Sequence, residues 1–395
     1  MAQSSAGVAQ RTVFAVIWIP ILAYGAVLTV PAFVAVLGKY YGMSSAELGT
    51  LTSAEWFACI TGTYLTKNKS IKELTRWIPW ACALAIGANV AGIALVSHVP
   101  LILFHPLSTF GAGVAYGYVL KVFHASGKQE RSYGTFLAAL YLSELVIFQL
   151  INYLTAKYTT AAVFYVYAVL ALVALVVSLA TRAKLTNVAL PETGLPGGGR
   201  KKPLSMTILC SVAALGVSYA AFGMMWPFVQ LMGATRGFSA LEVTNGTSAY
   251  AVTGIVGGLA SAALSLRVNR AVVLIVALSA LLSSIYLLYA GASYTLFFVG
   301  CLIFGFYWTF YCTLHVGIIA RGDDTGRAIV LCGVSPSVGA IFGSFVGGHL
   351  IHGTNYLPPA CVGAALAVIG IACTLVTMAR MNPRNVLIPA PHVPS

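Results

Sequence analysis

The chain has 395 residues, of which 59% are hydrophobic and only 8% charged, and its mean hydropathy is +0.89. Soluble domains carry about 25% charged residues, so this composition excludes a soluble globular protein and indicates a polytopic membrane protein. The net charge of +13 is divided among short loops and forms no continuous basic stripe, which argues against nucleic acid as a partner. The lipid bilayer is the first partner that the composition implies.

Twelve apolar segments of helical length follow one another along the chain. Each is long enough to cross about 30 Å of hydrocarbon at about 1.5 Å per residue. The predicted spans are 13–37, 47–66, 77–97, 100–122, 133–155, 161–181, 206–232, 241–266, 271–290, 294–319, 328–351 and 357–379. We expect an all-α membrane protein with residues 1–181 in one six-helix bundle and residues 206–395 in a second, ending in a short tail. Residues 182–205 are polar and rich in Gly and Pro, and are expected to tether the two.

Glycine and proline are placed where they could shape these spans. Pro20 and Pro31 in the first span, Pro227 in the seventh and Pro336 in the eleventh are predicted to kink their helices, because each removes a backbone hydrogen bond. Glycine repeats predict close helix packing in the fourth and eleventh spans, at Gly111, Gly113 and Gly117 and at Gly339, Gly343 and Gly347.

An internal repeat relates the two halves. Residues 24–62 align without a gap with residues 219–257, at a spacing of 195 positions. A repeat at about half the chain length predicts two similar bundles. At one position the copies differ in chemistry, because Glu55 in the first is replaced by Tyr250 in the second. This position is therefore a candidate for function.

The basic residues predict how the chain is oriented in the membrane. Nineteen of the 22 lie in loops or tails on one side of the predicted bundles, and Lys39, Lys157 and Arg236 lie on the other. Loops rich in Lys and Arg stay in the cytoplasm. We expect a multi-pass protein of the inner or plasma membrane with both termini and the central linker in the cytoplasm.

Six plus six spans, a basic linker and parallel half-repeats resemble the major facilitator superfamily over essentially the whole chain. After its second span, that superfamily usually reads G-x-x-x-D-R-x-G-R-R. Here the loop keeps Gly62 and its basic character, but has Thr66 in place of the acid and Lys69 in place of the second glycine. Drug/proton antiporters of the superfamily carry G-x-x-x-G-P-x-x-G-G in the fifth span, whereas Tyr141 to Gln149 here contains neither Gly nor Pro.

The resemblance implies a monomeric secondary transporter that moves a small organic solute by alternating access. The missing antiporter pattern favours proton-coupled import, of an amphipathic or aromatic carboxylate, over proton-driven efflux of hydrophobic or cationic compounds. Both functions stay open, as does a receptor built on a transporter scaffold.

Other classes are not supported by motifs. No HExxH, GxSxG or paired aspartates occur, so an enzyme is not expected. No loop resembles the selectivity filter of a channel. The eight cysteines stand singly in apolar runs without a CxxC pattern, so neither a metal site nor a cofactor is expected.

Two glutamates lie near the middle of predicted spans, where an ionisable group is costly and needs a reason. Glu55 is in the second span and Glu144 in the fifth, and neither has a basic residue three or four positions away. Burial disfavours the charged form, so we expect each to hold a proton until a cation or a partner arrives. Both are candidates for the coupling proton, Glu55 first, and a neutral structural carboxylic acid is the alternative.

A second group of candidates could contact the substrate, on spans that mostly line the central cavity in the resembled superfamily. His105 lies near the outer end of the fourth span, just before Pro106, and His315 lies in the tenth. Lys121 closes the fourth span, where reaching toward lipid headgroups is the alternative role. The remaining candidates are aromatic and favour a substrate with an apolar part: Tyr24, Tyr116, Tyr219, Trp226, Tyr250, Tyr307 and Tyr311.

Overall fold

The computed structural model describes residues 10–95, 98–125, 129–185, 204–264, 270–322 and 327–380. Within these ranges the regular structure is helical, apart from one isolated bridge between His352 and Asn355. The chain divides into two compact units, Met1–Lys201 and Lys202–Ser395. Most of the predicted linker lies outside the described residues.

The first unit contains the first six predicted spans. Its helices are α1 (Gln10–Val16), α2 (Trp18–Ala23), α3 (Gly25–Leu28), α4 (Val30–Tyr40), α5 (Ser45–Leu65), α6 (Ile71–Ala94), α7 (His98–Phe104), α8 (Pro106–Ala125), α9 (Gln129–Lys157) and α10 (Ala162–Leu185). The first span is thus divided into α1–α4 and the fourth into α7 and α8. Helix α5 packs along α8, and α6 packs against both α8 and α10.

The second unit contains the other six predicted spans. Its elements are α11 (Met206–Met225), a 3-10 helix (Trp226–Phe228), α12 (Val229–Thr235), α13 (Ala240–Leu264), α14 (Arg270–Ala290), α15 (Tyr294–Gly322), α16 (Arg327–Leu350) and α17 (Leu357–Arg380). Helix α13 packs along α15, as α5 does along α8, and α14 packs against α15 and α17. Eight described segments, four in each unit, are long and apolar enough to cross a membrane.

Prolines interrupt some of the spans in which they were predicted to act. The first span is broken at Thr29, two residues before Pro31, and Pro227 lies inside the 3-10 helix of the seventh span. Pro336 lies within α16, which continues through it as one helix. Proline therefore divides the first and seventh spans but does not end the eleventh.

The internal repeat is visible where the second helix of each unit begins. Ser44 caps α5, and Glu47 Oε2 accepts a hydrogen bond from the Ser44 backbone N–H at 2.8 Å. Ser239 and Glu242 form the same capping box before α13, with the same bond at 2.8 Å. The glycines that precede these caps are also equivalent, with left-handed backbones: Gly42 (φ 70°) and Gly237 (φ 83°).

Small residues let the second and fourth spans of the first unit approach closely. Gly113 on α8 faces the backbone of Cys59 on α5, where a larger residue would collide. One turn earlier, Thr109 Oγ1 donates to the backbone carbonyl of Glu55 at 2.9 Å. The contact holds the backbone at Glu55 against the fourth span.

The corresponding contact in the second unit uses the same two residue types in reversed order. Gly305 on α15 faces the backbone of Tyr250 on α13. One turn later, Thr309 Oγ1 donates to the Gly254 carbonyl at 2.7 Å. The repeat therefore preserves the close approach of the helices although the residues that make it have been exchanged.

Candidate functional site

Glu55 and His105 are in direct contact inside the first unit. His105 lies at the break between α7 and α8, where Pro106 lacks the N–H that would continue the helix. His105 Nδ1 is 2.6 Å from Glu55 Oε1, and the two side chains are 0% and 2% exposed. The basic partner that Glu55 lacks in its own helix is thus supplied by the fourth span.

From the sequence, Glu55 was expected near the middle of its span and His105 near the outer end of the fourth, and contact between them was not predicted. The hydrogen bond joins α5 to the break in the fourth span at His105.

Two further polar residues extend the pair into a buried network. His105 Nε2 lies 3.2 Å from Asn89 Oδ1 on α6. The Asn89 amide nitrogen donates to Ser108 Oγ and to the Ala85 carbonyl, each at 2.8 Å. Neither Asn89 nor Ser108 was predicted as a site residue. The available signal was weak: Ser108 is one helical turn after His105, and Asn89 is a lone amide within an apolar span.

Aromatic rings enclose the histidine. The Phe33 ring stacks on the His105 imidazole, with centroids 4.5 Å apart and planes at 28°, and Phe164 contacts it edge-on at 5.6 Å. Phe33 is placed by the break at Thr29, whose Oγ1 lies 2.7 Å from the Tyr167 hydroxyl. In such an apolar environment hydrogen bonds between polar groups strengthen, and an aromatic face favours a cation above it.

One oxygen of Glu55 is left over. Oε2 is buried and has no hydrogen-bond partner in the described part of the chain. An unsatisfied buried acceptor costs about 1–3 kcal/mol, and more when it carries charge. The arrangement therefore suits a protonated Glu55 whose O–H donates to the histidine better than it suits a carboxylate.

Glu144 is a second buried carboxyl group and is not part of this network. Its side chain on α9 is 4% exposed, and no hydrogen-bond partner is found for it among the described residues. The two glutamates therefore differ: Glu55 has a histidine partner and Glu144 does not.

The other candidates of the first unit lie along the first and fourth spans. The Tyr24 hydroxyl is 2.8 Å from Cys59 Sγ, and its ring lies 5.7 Å from that of Tyr116. Lys121 Nζ donates to the Lys67 carbonyl at 3.0 Å, just beyond the end of α5. A cation is favourable at a helix C-terminus, so Lys121 stabilises the end of the second span.

In the second unit three of the predicted aromatic residues belong to one stack. Trp226 lies on Tyr250, with centroids 3.7 Å apart and planes at 29°. Phe222 lies on Trp308 at 3.8 Å and 20°, and Tyr219 contacts Trp308 at 4.0 Å. Tyr250, the repeat equivalent of Glu55, is thus part of an aromatic surface.

The last three candidates lie on α15. Ser218 Oγ donates to a backbone carbonyl, so the Tyr311 hydroxyl donates to Ser218 at 2.7 Å and accepts from His315 Nδ1 at 2.7 Å. His315 Nε2 lies 3.2 Å from Ser211 Oγ. Both ring nitrogens of His315 thus have hydrogen-bond partners. Tyr307 stacks on Tyr311 at 5.6 Å, and its buried hydroxyl has no partner in the described structure.

These two six-helix units define the class of the protein. It is an all-α, multi-pass membrane protein, and the comparison with solved structures shows that it has the fold of the transporters described next. The resemblance drawn from the sequence is confirmed at the level of the fold. The described residues contain no group of His, Cys, Asp or Glu able to hold a metal ion.

The similar structures are transporters. A point mutant of the nucleoside transporter NupG aligns with a TM-score of 0.70 at 11% identity, covering 94% of this chain and 99% of that chain. NupG without that mutation gives 0.69 at 12%, with 93% and 98% covered. A D-xylose-proton symporter gives 0.70 at 13%, with 91% and 96% covered. No protein-family model matches the sequence, and no curated protein matches it.

Proposed function

We propose that the protein is a secondary active transporter that imports a small organic solute together with protons by alternating access. The observation that carries this proposal is the buried Glu55–His105 pair, joined at 2.6 Å within a transporter fold. A fold shared with a D-xylose-proton symporter and a nucleoside transporter supports transport of organic solutes. We place the protein in the inner or plasma membrane, acting as a monomer.

The pair supplies the chemistry for proton coupling. A carboxyl group and an imidazole in hydrogen-bond contact can share a proton and pass it on, which is the chemistry that proton coupling needs. The proton must cross an apolar environment to reach the pair, so its binding can be tied to helix movement. Glu55 is assigned the proton and His105 its partner.

The aromatic stack of the second unit is our candidate for the apolar contacts of the substrate. Flat rings such as those of Trp226 and Tyr250 suit an aromatic or amphipathic solute. A carboxylate substrate also needs a positive group. All three candidates already have partners: Lys121 bonds the Lys67 carbonyl, His315 its hydroxyl partners, and His105 bonds Glu55 and Asn89. A carboxylate would therefore have to displace one of these partners.

The alternative is proton-driven efflux of hydrophobic or cationic compounds. It is favoured by Glu144, a buried carboxyl group for which the described residues offer no basic partner. A cationic solute could supply the missing counter-charge, and aromatic faces bind cations well.

The test is solute flux in proteoliposomes across an imposed pH gradient, with aromatic and aliphatic carboxylates screened beside lipophilic cations. We expect carboxylates to accumulate on the alkaline side, and Glu55→Gln to lose this accumulation while gradient-independent exchange continues. Glu144→Gln, run in parallel, identifies which glutamate carries the proton.

Each other outcome has a definite meaning. Full coupling in Glu55→Gln would remove this residue from the proton path. Movement of cations against the proton gradient would establish the efflux alternative. Flux of either solute that does not depend on pH would exclude proton coupling.

A further inference from the structure

We propose that Asn89 is a positioning residue of the proton site. Asn89 holds a proton on His105 Nε2, and the contact between Glu55 and His105 therefore depends on a second proton. The effect on transport rests on the proposed function, whereas the tautomer of His105 does not.

Hydrogen bonding fixes the orientation of the Asn89 side chain. Its nitrogen lies 2.8 Å from the Ala85 carbonyl oxygen, which can only accept, and 2.8 Å from Ser108 Oγ. Turning the amide over would place Oδ1 against the Ala85 oxygen, with no hydrogen between two acceptors. Oδ1 must therefore face His105 Nε2, 3.2 Å away.

The amide orientation decides the tautomer of His105. Because Asn89 Oδ1 can only accept, Nε2 must carry a hydrogen. Nδ1 then bears a lone pair in the neutral ring, so Glu55 must donate to it as a carboxylic acid. In the charged alternative, Nδ1–H donates to the carboxylate. Either way one further proton lies between Glu55 and His105.

Loss of that further proton breaks the contact. The Glu55 carboxylate would then face the lone pair of Nδ1, and two acceptors cannot remain 2.6 Å apart. The proton thus joins the Glu55 side chain to the fourth span, whereas Thr109 holds the Glu55 backbone there independently of it. Without Asn89, the neutral ring could move its hydrogen to Nδ1 and stay bonded to ionised Glu55. The contact would then persist whether or not the further proton is bound.

The described residues place no other charged side chain against the pair. The elements packed around it contribute Phe33 from α4, Asn89 from α6 and the hydroxyl of Thr109 from α8. The other titratable side chain that faces it is Tyr167 on α10, whose hydroxyl bonds Thr29. No Lys or Arg is buried among the described residues.

The tautomer can be observed directly by 15N NMR of histidine-labelled protein in lipid nanodiscs. His105→Gln assigns the signal, and Ser108→Ala serves as the control for loss of a hydrogen bond, because the Ala85 carbonyl still orients the amide. Spectra are recorded over a pH series and compared where the pair has lost its further proton. There we expect neutral His105 to carry its hydrogen on Nε2 in the wild type and in Ser108→Ala, and on Nδ1 in Asn89→Leu. A neutral wild-type ring with its hydrogen on Nδ1, or an unchanged tautomer in Asn89→Leu under these conditions, would overturn the proposal.

The second readout is the pH midpoint of solute uptake. Asn89→Leu stabilises the deprotonated pair, so its midpoint should move to lower pH. The expected shift is roughly one pH unit, which corresponds to the net free energy of about one buried hydrogen bond. Asn89→Asp adds a negative acceptor beside Nε2 and should move the midpoint to higher pH. A residue that served only the fold would not produce opposite shifts, so shifts in the same direction, or none, would overturn the proposal. The NMR result holds whether or not transport is proton-coupled, which separates failure of this inference from failure of the proposed function.

Discussion

Glu55 and Tyr250 occupy equivalent positions of the repeat, and their surroundings differ as much as their side chains do. Glu55 faces a histidine that can share its proton, whereas Tyr250 stacks on Trp226 within an aromatic surface. The same position of the repeat thus carries a group that shares a proton in the first unit and a ring that stacks on another ring in the second. This difference supports the proposal that the two units contribute differently to transport.

Tyr307 and Tyr311 offer a matched pair for separating structural from functional roles. Tyr311→Phe leaves the Nδ1–H of His315 without an acceptor, so we expect the free energy of unfolding to fall by about 1–3 kcal/mol. Tyr307→Phe removes a buried hydroxyl that has no partner in the described structure and should leave stability unchanged or slightly higher. Thermal unfolding of both variants in one detergent measures the difference.

Two results would change this view. Equal destabilisation by the two substitutions would mean that the bonds of Tyr311 contribute nothing. Loss of solute uptake in Tyr307→Phe at unchanged stability would identify its hydroxyl as a substrate contact, which is the role proposed for it from the sequence.

At the scale of helices, close packing depends on particular glycines rather than on glycine content. A side chain at Gly257 on α13 would meet the backbone carbonyl of Phe306 on α15, whereas one at Gly258 would meet no atom within 4 Å. In the first unit Gly62 faces the backbone carbonyl of Phe110 in the same way. Position 257 of α13 therefore has no room for a side chain, whereas position 258 does.

Substitution of these adjacent glycines by alanine tests the packing. Gly257→Ala forces two helix backbones apart and should lower stability by about 1–3 kcal/mol. Gly258→Ala should be neutral or stabilise by up to about 1 kcal/mol, because alanine favours the helix. The measurement is thermal unfolding of both variants, with Gly62→Ala expected to follow Gly257→Ala. Equal tolerance at positions 257 and 258 would contradict the packing described here.

For the whole molecule, the distribution of basic residues predicts the orientation in the membrane. With 19 of the 22 on one side, a reporter that is fluorescent only in the cytoplasm should be active at either terminus. The same reporter inserted in the turn at residues 158–161, next to Lys157, should be silent. Silent terminal fusions together with a fluorescent insertion would invert the proposed topology.

The helical architecture could be predicted because its signal is local. Apolar length alone predicts a transmembrane helix, so the twelve spans were located approximately. The largest error is at the start of the third span, which was predicted at residue 77 and begins at Ile71. The breaks were harder, because a proline removes a single bond and its neighbours decide whether the helix ends. Pro106 ends one helix piece and starts another, whereas Pro336 is accommodated inside α16.

The amino-acid sequence by itself determined the membrane class, the twelve helices and the internal repeat, and it predicted Glu55 and His105 as separate candidate site residues. Only the tertiary structure decided that these two meet, that Asn89 completes their network and that Glu144 stays outside it. The physical reason is distance along the chain. Helix formation depends on neighbours within a few residues, whereas the contact between Glu55 and His105 joins positions 50 residues apart. It depends on how each helix is rotated and broken, which is set by the packing of the whole bundle.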